Sequence, residues 1–140
     1  MLGKTIDQLS VGDSAEFSKT VSASDIYLFA GVTGDMNPAH IDEEYAKDTF
    51  FKGRIAHGML AAGFVSAVLG TRLPGPGTIY LSQNLSFKAP VPIGATITAR
   101  VEVAELTPDK NRVRLKTTCT DQTGNVVLDG EAVVLAPKAR

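Results

Sequence analysis

Gly58-Met59-Leu60-Ala61-Ala62-Gly63-Phe64-Val65-Ser66-Ala67-Val68-Leu69 is apolar all round, and Ser66 is its only side-chain hydroxyl. The run continues to Leu73 and is stopped by Pro74-Gly75-Pro76-Gly77. A helix over 58–73 with no polar face has to be buried on all sides. It is too short to cross a bilayer, which takes roughly 20 apolar residues.

Everything after this helix reads as strands. Residues 78–87 form one. From Ala95 to Leu106 the chain alternates, with Ile97, Ala99, Val101 and Val103 on one face and Thr96, Thr98, Arg100 and Glu102 on the other. Thr107-Pro108-Asp109-Lys110-Asn111 is a turn. Residues 112–120 alternate again and bring Val113, Leu115, Thr117 and Cys119 together. Asp121-Gln122-Thr123-Gly124-Asn125 turns into a last strand, 126–135, and residues 13–21 supply a further strand before the helix. Short turns between consecutive strands imply an antiparallel meander. The economical cover for one wholly apolar helix is a curved sheet wrapped around it, an α+β architecture. Such a sheet leaves edge strands to be paired or covered, which predicts a homodimer.

Ahead of the apolar helix, Ser22 and Asp25 form a capping-box-like start, Ile26, Phe29 and Ala30 recur at helical spacing, and Gly34 stops the run. A second helix start falls at Asp42, with Glu43 and Glu44 in the first turn, where the helix dipole favours them.

The bulk properties narrow the function classes. One hundred and forty residues suit one domain, 1–140. With 44% hydrophobic and 21% charged residues the chain should fold throughout. A formal net charge of -1 provides no overall field for nucleic acid or an anionic membrane, and neither is expected as a partner. The single cysteine, Cys119, allows no internal disulfide, and its strand position makes it core. Residues 1–8 hold no apolar signal region, and the expected location is the cytoplasm.

The chemistry lies in Thr33-Gly34-Asp35-Met36-Asn37-Pro38-Ala39-His40. Gly34 and Asn37-Pro38 break helix and strand patterns, so the stretch reads as a loop, stiffened by Pro38, which biases Asn37 toward an extended conformation. Asp35 and His40 stand at its two ends. By spacing alone they fit two readings: turn-forming surface residues, or a carboxylate and an imidazole converging on one water to take and return a proton.

Gly34-Asp35-x-Asn37-Pro38-x-His40, preceded by Tyr27-x-Phe29-Ala30-x-Val32-Thr33, resembles the hydratase motif of the MaoC-like family, and in particular its R-specific enoyl-CoA hydratases. Gly53-x-Ile55-Ala56-His57-Gly58-Met59-Leu60 is similar to the start of that family's central helix, and Asn84-Leu85-x-Phe87-x-x-Pro90-Val91-x-x-Gly94 to its sheet segment. The three motifs occur in order over about Asp13 to Leu135. Ala95 departs from many relatives, which carry an acidic residue there, at a strand entry.

The resemblance implies the hot-dog fold and syn hydration of trans-2-enoyl-CoA to (R)-3-hydroxyacyl-CoA. Asp35 and His40 would be catalytic, with no cofactor beyond the coenzyme A of the substrate. Gly58 would open the central helix and donate its N–H to the thioester oxygen; the plainer alternative is that it eases the helix entry. Ser66 either bonds back to its own helix or orients the pair. Asn37 either forms an Asx-type turn or contacts Asp35 or substrate. His57 adds a third potential metal ligand to Asp35 and His40, but the spacing matches no metal motif and no metal is expected. Met36, Ala39, Phe50, Phe51, Leu60, Phe64 and Leu81 are the expected walls of the acyl pocket. Large side chains at 50 and 51 predict a graded preference for about four to six acyl carbons.

Rival functions within the fold are an acyl thioesterase and a non-catalytic acyl-thioester-binding module. Many hot-dog thioesterases place their carboxylate on the central helix, and residues 58–73 contain no Asp or Glu.

Overall fold

A computed structural model describes residues 1–139. Its elements run β1 (Ser14–Thr20), α1 (Ala23–Thr33), α2 (Pro38–Ile41), α3 (Glu43–Ala46), α4 (Gly58–Thr71), β2 (Ile79–Phe87), β3 (Thr96–Thr107), β4 (Arg112–Thr120) and β5 (Val126–Leu135). All strands pair antiparallel in one sheet of order β1-β3-β4-β5-β2, and α4 packs across it.

The period-two alternation is realised in the register. Ile97, Ala99, Val101 and Val103 of β3 and Val113, Leu115, Thr117 and Cys119 of β4 are all buried. All of these but Thr117 meet Ala61, Phe64, Val65, Val68 and Leu69 of α4 in one core. Each large aliphatic or aromatic side chain buried there contributes about 1.5–3 kcal/mol relative to exposure. Cys119 is core as expected; its Sγ lies 3.6 Å from the Ala61 carbonyl oxygen, and burial pushes its thiol up to about 12.

Three expectations need correction. First, only β3, β4 and β5 form a meander. β2 follows α4 in sequence but pairs with β5 at the far edge, and β1 forms the opposite edge. The segment after β2 leads from that edge to β3, and on the way the Val91 carbonyl accepts from the Ala56 N–H and Pro92 bridges Ile55, just ahead of α4. Second, α4 ends at Thr71, where Arg72 leaves helical geometry (φ -125) to bond its guanidinium to the Glu16 carbonyl. Third, α4 is not buried on all sides. The sheet wraps one side only, and Met59, Gly63, Ser66 and Ala67 are exposed on the other.

None of the helices among the described residues is long and apolar enough to cross a membrane.

Candidate active site

The site is built from the exit of α1, the turn of α2 and the entry to α4. Ser22 and Asp25 close the expected capping box on α1. The Ser22 N–H donates to the Asp25 carboxylate at 2.9 Å and, with Lys19 at 3.2 Å, holds that carboxyl below its usual range, while the Asp25 N–H donates back to Ser22 Oγ. At the other end Gly34 takes a left-handed conformation (φ 81), which a side chain would resist, and its N–H reaches the Ala30 carbonyl at 2.8 Å. Thr33 Oγ1 donates to the Phe29 carbonyl and accepts from the Asp35 N–H at 3.2 Å.

The stretch 33–40 is not wholly loop. Asn37 caps a single helical turn, α2, with its Oδ1 accepting from Ala39 N–H at 3.0 Å and Pro38 at the first position. Pro suits that position because its missing N–H would have no partner there. The Asn37 side chain is thus engaged in the turn, while its backbone N–H donates to Asp35 Oδ1 at 3.3 Å.

His40 sits at the end of this turn, part-buried, with Nδ1 2.7 Å from the Ile55 carbonyl oxygen. A carbonyl only accepts, so in the neutral ring Nδ1 carries the proton and Nε2 presents a lone pair. His57, immediately before α4, is buried; its Nε2 donates to the Asp35 carbonyl oxygen at 2.9 Å. The His40 and His57 rings stack with centroids 3.9 Å apart. One potential donor atom from each of Asp35, His40 and His57 lies within 4.8 Å of the others. Folding therefore gathers three groups whose spacing along the chain suggests no metal motif. Two of the four ring nitrogens are already spent on backbone carbonyls.

Two cavities flank the group. One, of about 460 Å³, is lined by His40, Phe51, Gly58, Met59, Phe87 and Val91, with Lys88, Val127 and Leu128. The other, of about 610 Å³, is lined by Asp35, Thr33, Phe29, Met59, Ser66 and Leu85, with Tyr80 and Gln83. Met59, on the first turn of α4, borders both. Gly58 starts that helix with no side-chain cap over it among the described residues; the Leu60 N–H is bonded to the His57 carbonyl at 3.0 Å, which leaves the Gly58 N–H at the head of the helix for a ligand. Ser66 is exposed into the Asp35 cavity rather than buried.

Of the seven side chains expected to wall an acyl pocket, Phe51 lines the cavity beside His40. Phe50 is 90% exposed and meets Phe51 edge-on. Phe64 lies in the core against Phe17, and Leu60 borders a shallow groove with Lys19 and Leu28. Met36 and Leu81 are exposed, and they and Ala39 line neither cavity. Phe87, Val127 and Leu128 on one side and Leu85 on the other are brought in from distant sequence by strand pairing, and Phe29 reaches the second cavity from α1. His57 entered only as a possible ligand, although its place just before a glycine-led helix was a signal.

A curved antiparallel sheet packed on one long helix is the hot-dog fold, and here the helix entry carries a carboxylate and two imidazoles. The chain belongs to the MaoC-like family: residues 8–126 match the family described as MaoC like domain. It is 60% identical over 131 residues to the (R)-specific enoyl-CoA hydratase of Rhodospirillum rubrum, covering 94% of this chain and 90% of that one. It is 53% identical over 132 residues to the 3-hydroxybutyryl-CoA dehydratase of Methylorubrum extorquens, covering 94% and 83%. The unliganded R-hydratase PhaJ1 from Pseudomonas aeruginosa superposes with a TM-score of 0.94 at 47% identity, covering 98% of this chain and 88% of that one.

Proposed function

We propose that this chain is an R-specific enoyl-CoA hydratase, adding water to trans-2-enoyl-CoA to give (R)-3-hydroxyacyl-CoA and catalysing the reverse dehydration. The observation that carries this reading is the convergence of Asp35 and His40, between two apolar cavities, on the open N-terminus of α4.

In the proposed mechanism one water is held between the Asp35 carboxylate and the His40 Nε2 lone pair. An O–H bond breaks toward the pair as oxygen bonds to C3 of the enoyl group, and the pair returns a proton to C2. Both additions come from one water and so reach one face, which makes the addition syn. The pair is treated as a unit, since two coupled groups share their titration. Negative charge grows on the thioester oxygen in this step, and the Gly58 N–H at the positive end of α4 is the donor for it. Ser66, on the Asp35 side, orients the carboxylate or its water. No cofactor is needed beyond the coenzyme A that the substrate brings. Phe51 is the aromatic that limits chain length on the His40 side.

The active assembly is a homodimer, in which a second copy covers the open stripe of α4 and the outer edge of β2, with Leu81 and its exposed neighbours. The site belongs to the cytoplasm, where a buried, unpaired Cys119 is undisturbed.

The test is the absorbance of crotonyl-CoA. Hydration removes the conjugated chromophore without releasing thiol, and the product is the R enantiomer. Thiol release would mark a thioesterase, and no change of either kind would mark a binding module.

A further inference from the structure

His57 is buried to 3% exposure, and the mechanism above gives it no task. One ring nitrogen, Nε2, is 2.9 Å from the Asp35 carbonyl oxygen. The other, Nδ1, is buried with no hydrogen-bond partner among the described residues. One ring face lies on His40, with centroids 3.9 Å apart and planes 29° from parallel, and Phe29 packs at 4.7 Å. A polar atom buried without a partner costs stability, and native proteins keep few of them. An apolar residue would remove the cost. It would also remove the donor to Asp35.

We propose that His57 is a positioning residue that sets Asp35 and His40 relative to one another, its edge holding the backbone of the first and its face supporting the ring of the second. This rests on the reading of Asp35 and His40 as the reacting pair.

The geometry requires opposite tautomers in the two rings. His40 gives its Nδ1 proton to the Ile55 carbonyl and keeps Nε2 bare toward the water. His57 gives its Nε2 proton to the Asp35 carbonyl and keeps Nδ1 bare. Both acceptors are backbone carbonyls, which cannot donate, so neither assignment can be exchanged without losing a bond. The placement of His57 at the entry to α4 ties the two catalytic side chains to the helix whose first N–H faces the thioester. A histidine here therefore couples three parts of the site that come from separate elements.

The full chain contains two histidines, so selective ¹⁵N labelling of histidine yields two ring systems. Long-range ¹H–¹⁵N correlation at about pH 8, above the ordinary histidine range, should show one Nδ1–H ring and one Nε2–H ring. Two Nε2–H rings in the wild type would overturn the proposal, whatever the variants do. His57→Gln keeps a donor without the stacking face, and His57→Phe keeps a face without the donor. Each should lower kcat on crotonyl-CoA by about tenfold to a hundredfold, as a displaced catalytic group does. KM should stay within about twofold, since substrate binding is not what the ring controls. His40 should lose its single-tautomer signature in His57→Gln, which removes the supporting face, and keep it in His57→Phe. Wild-type kcat in both variants with an unchanged His40 spectrum also defeats the proposal. Full activity in Asp35→Asn or His40→Gln would instead defeat the reading of the pair, and the two failures are told apart by the tautomer spectrum.

Discussion

A Cβ added at Gly58 would fall 2.6 Å from the ring of Phe87. The helix that heads the site and the end of strand β2 are therefore in contact only because residue 58 has no side chain. Gly58→Ala should destabilise the fold by about 1–3 kcal/mol through overpacking. Thermal unfolding of Gly58→Ala, Phe87→Ala and the double variant separates packing from catalysis. The double variant should unfold like Phe87→Ala alone, yet turn over more slowly than it, because the added methyl still blocks the approach of the thioester to the first N–H. Full recovery of turnover in the double variant would reduce Gly58 to a packing residue.

Phe51 lines the cavity beside His40, whereas Phe50 points into solvent. Phe51→Ala should shift the kcat/KM profile toward longer enoyl-CoAs, and Phe50→Ala should leave it in place. The shift should be graded, since one methylene in an apolar pocket is worth about 1–3 kcal/mol. A wild-type preference for long chains that neither variant alters would remove Phe51 from the account of specificity.

The capping box at α1 makes a prediction in pH. Asp25 has a depressed folded pKa, so its contribution is fully present above the unfolded carboxylate range and is lost as pH falls through the folded value. Asp25→Ala should cost about 1 kcal/mol at neutral pH, the usual size for a helix-start hydrogen bond. Denaturant titrations of the two proteins should converge in strong acid. A difference that persists there would assign the loss to packing and not to the carboxylate.

Assembly follows from what the chain leaves open. Among the described residues β2 pairs on one side only, and Tyr27, Leu28, Val32, Met59, Ile79 and Leu81 are exposed. Sheet edges and apolar patches of this kind mark interfaces. Sedimentation at micromolar concentration should give a dimer, and Leu81→Lys should weaken it together with activity. A stable, fully active monomer would contradict this.

The strands were legible because alternation has a period of two and the buried faces of β3 and β4 keep to it residue by residue. Ser22 and Gly34 marked the ends of α1 by capping chemistry that acts locally. The place of β2 was not legible. Its residues are exposed almost throughout and carry no alternation, and its partner is fixed by register with β5, Leu85 opposite Gly130. Asn37-Pro38 carries two signals at once, since the same pair that breaks a pattern also starts a helix, and the structure takes the second. Asp35 and His40 were found through a motif. What surrounds them depends on which distant strands fold beside α4, and that is long-range packing.

The central claim is tested most directly by steady-state hydration of crotonyl-CoA by wild type, Asp35→Asn and His40→Gln at neutral pH. Each substitution keeps shape and removes proton transfer, so kcat should fall by about 10²–10⁴ in each. The double variant should be little worse than either single one, because the two groups act on one water. Near-wild-type turnover in either single variant would contradict the account.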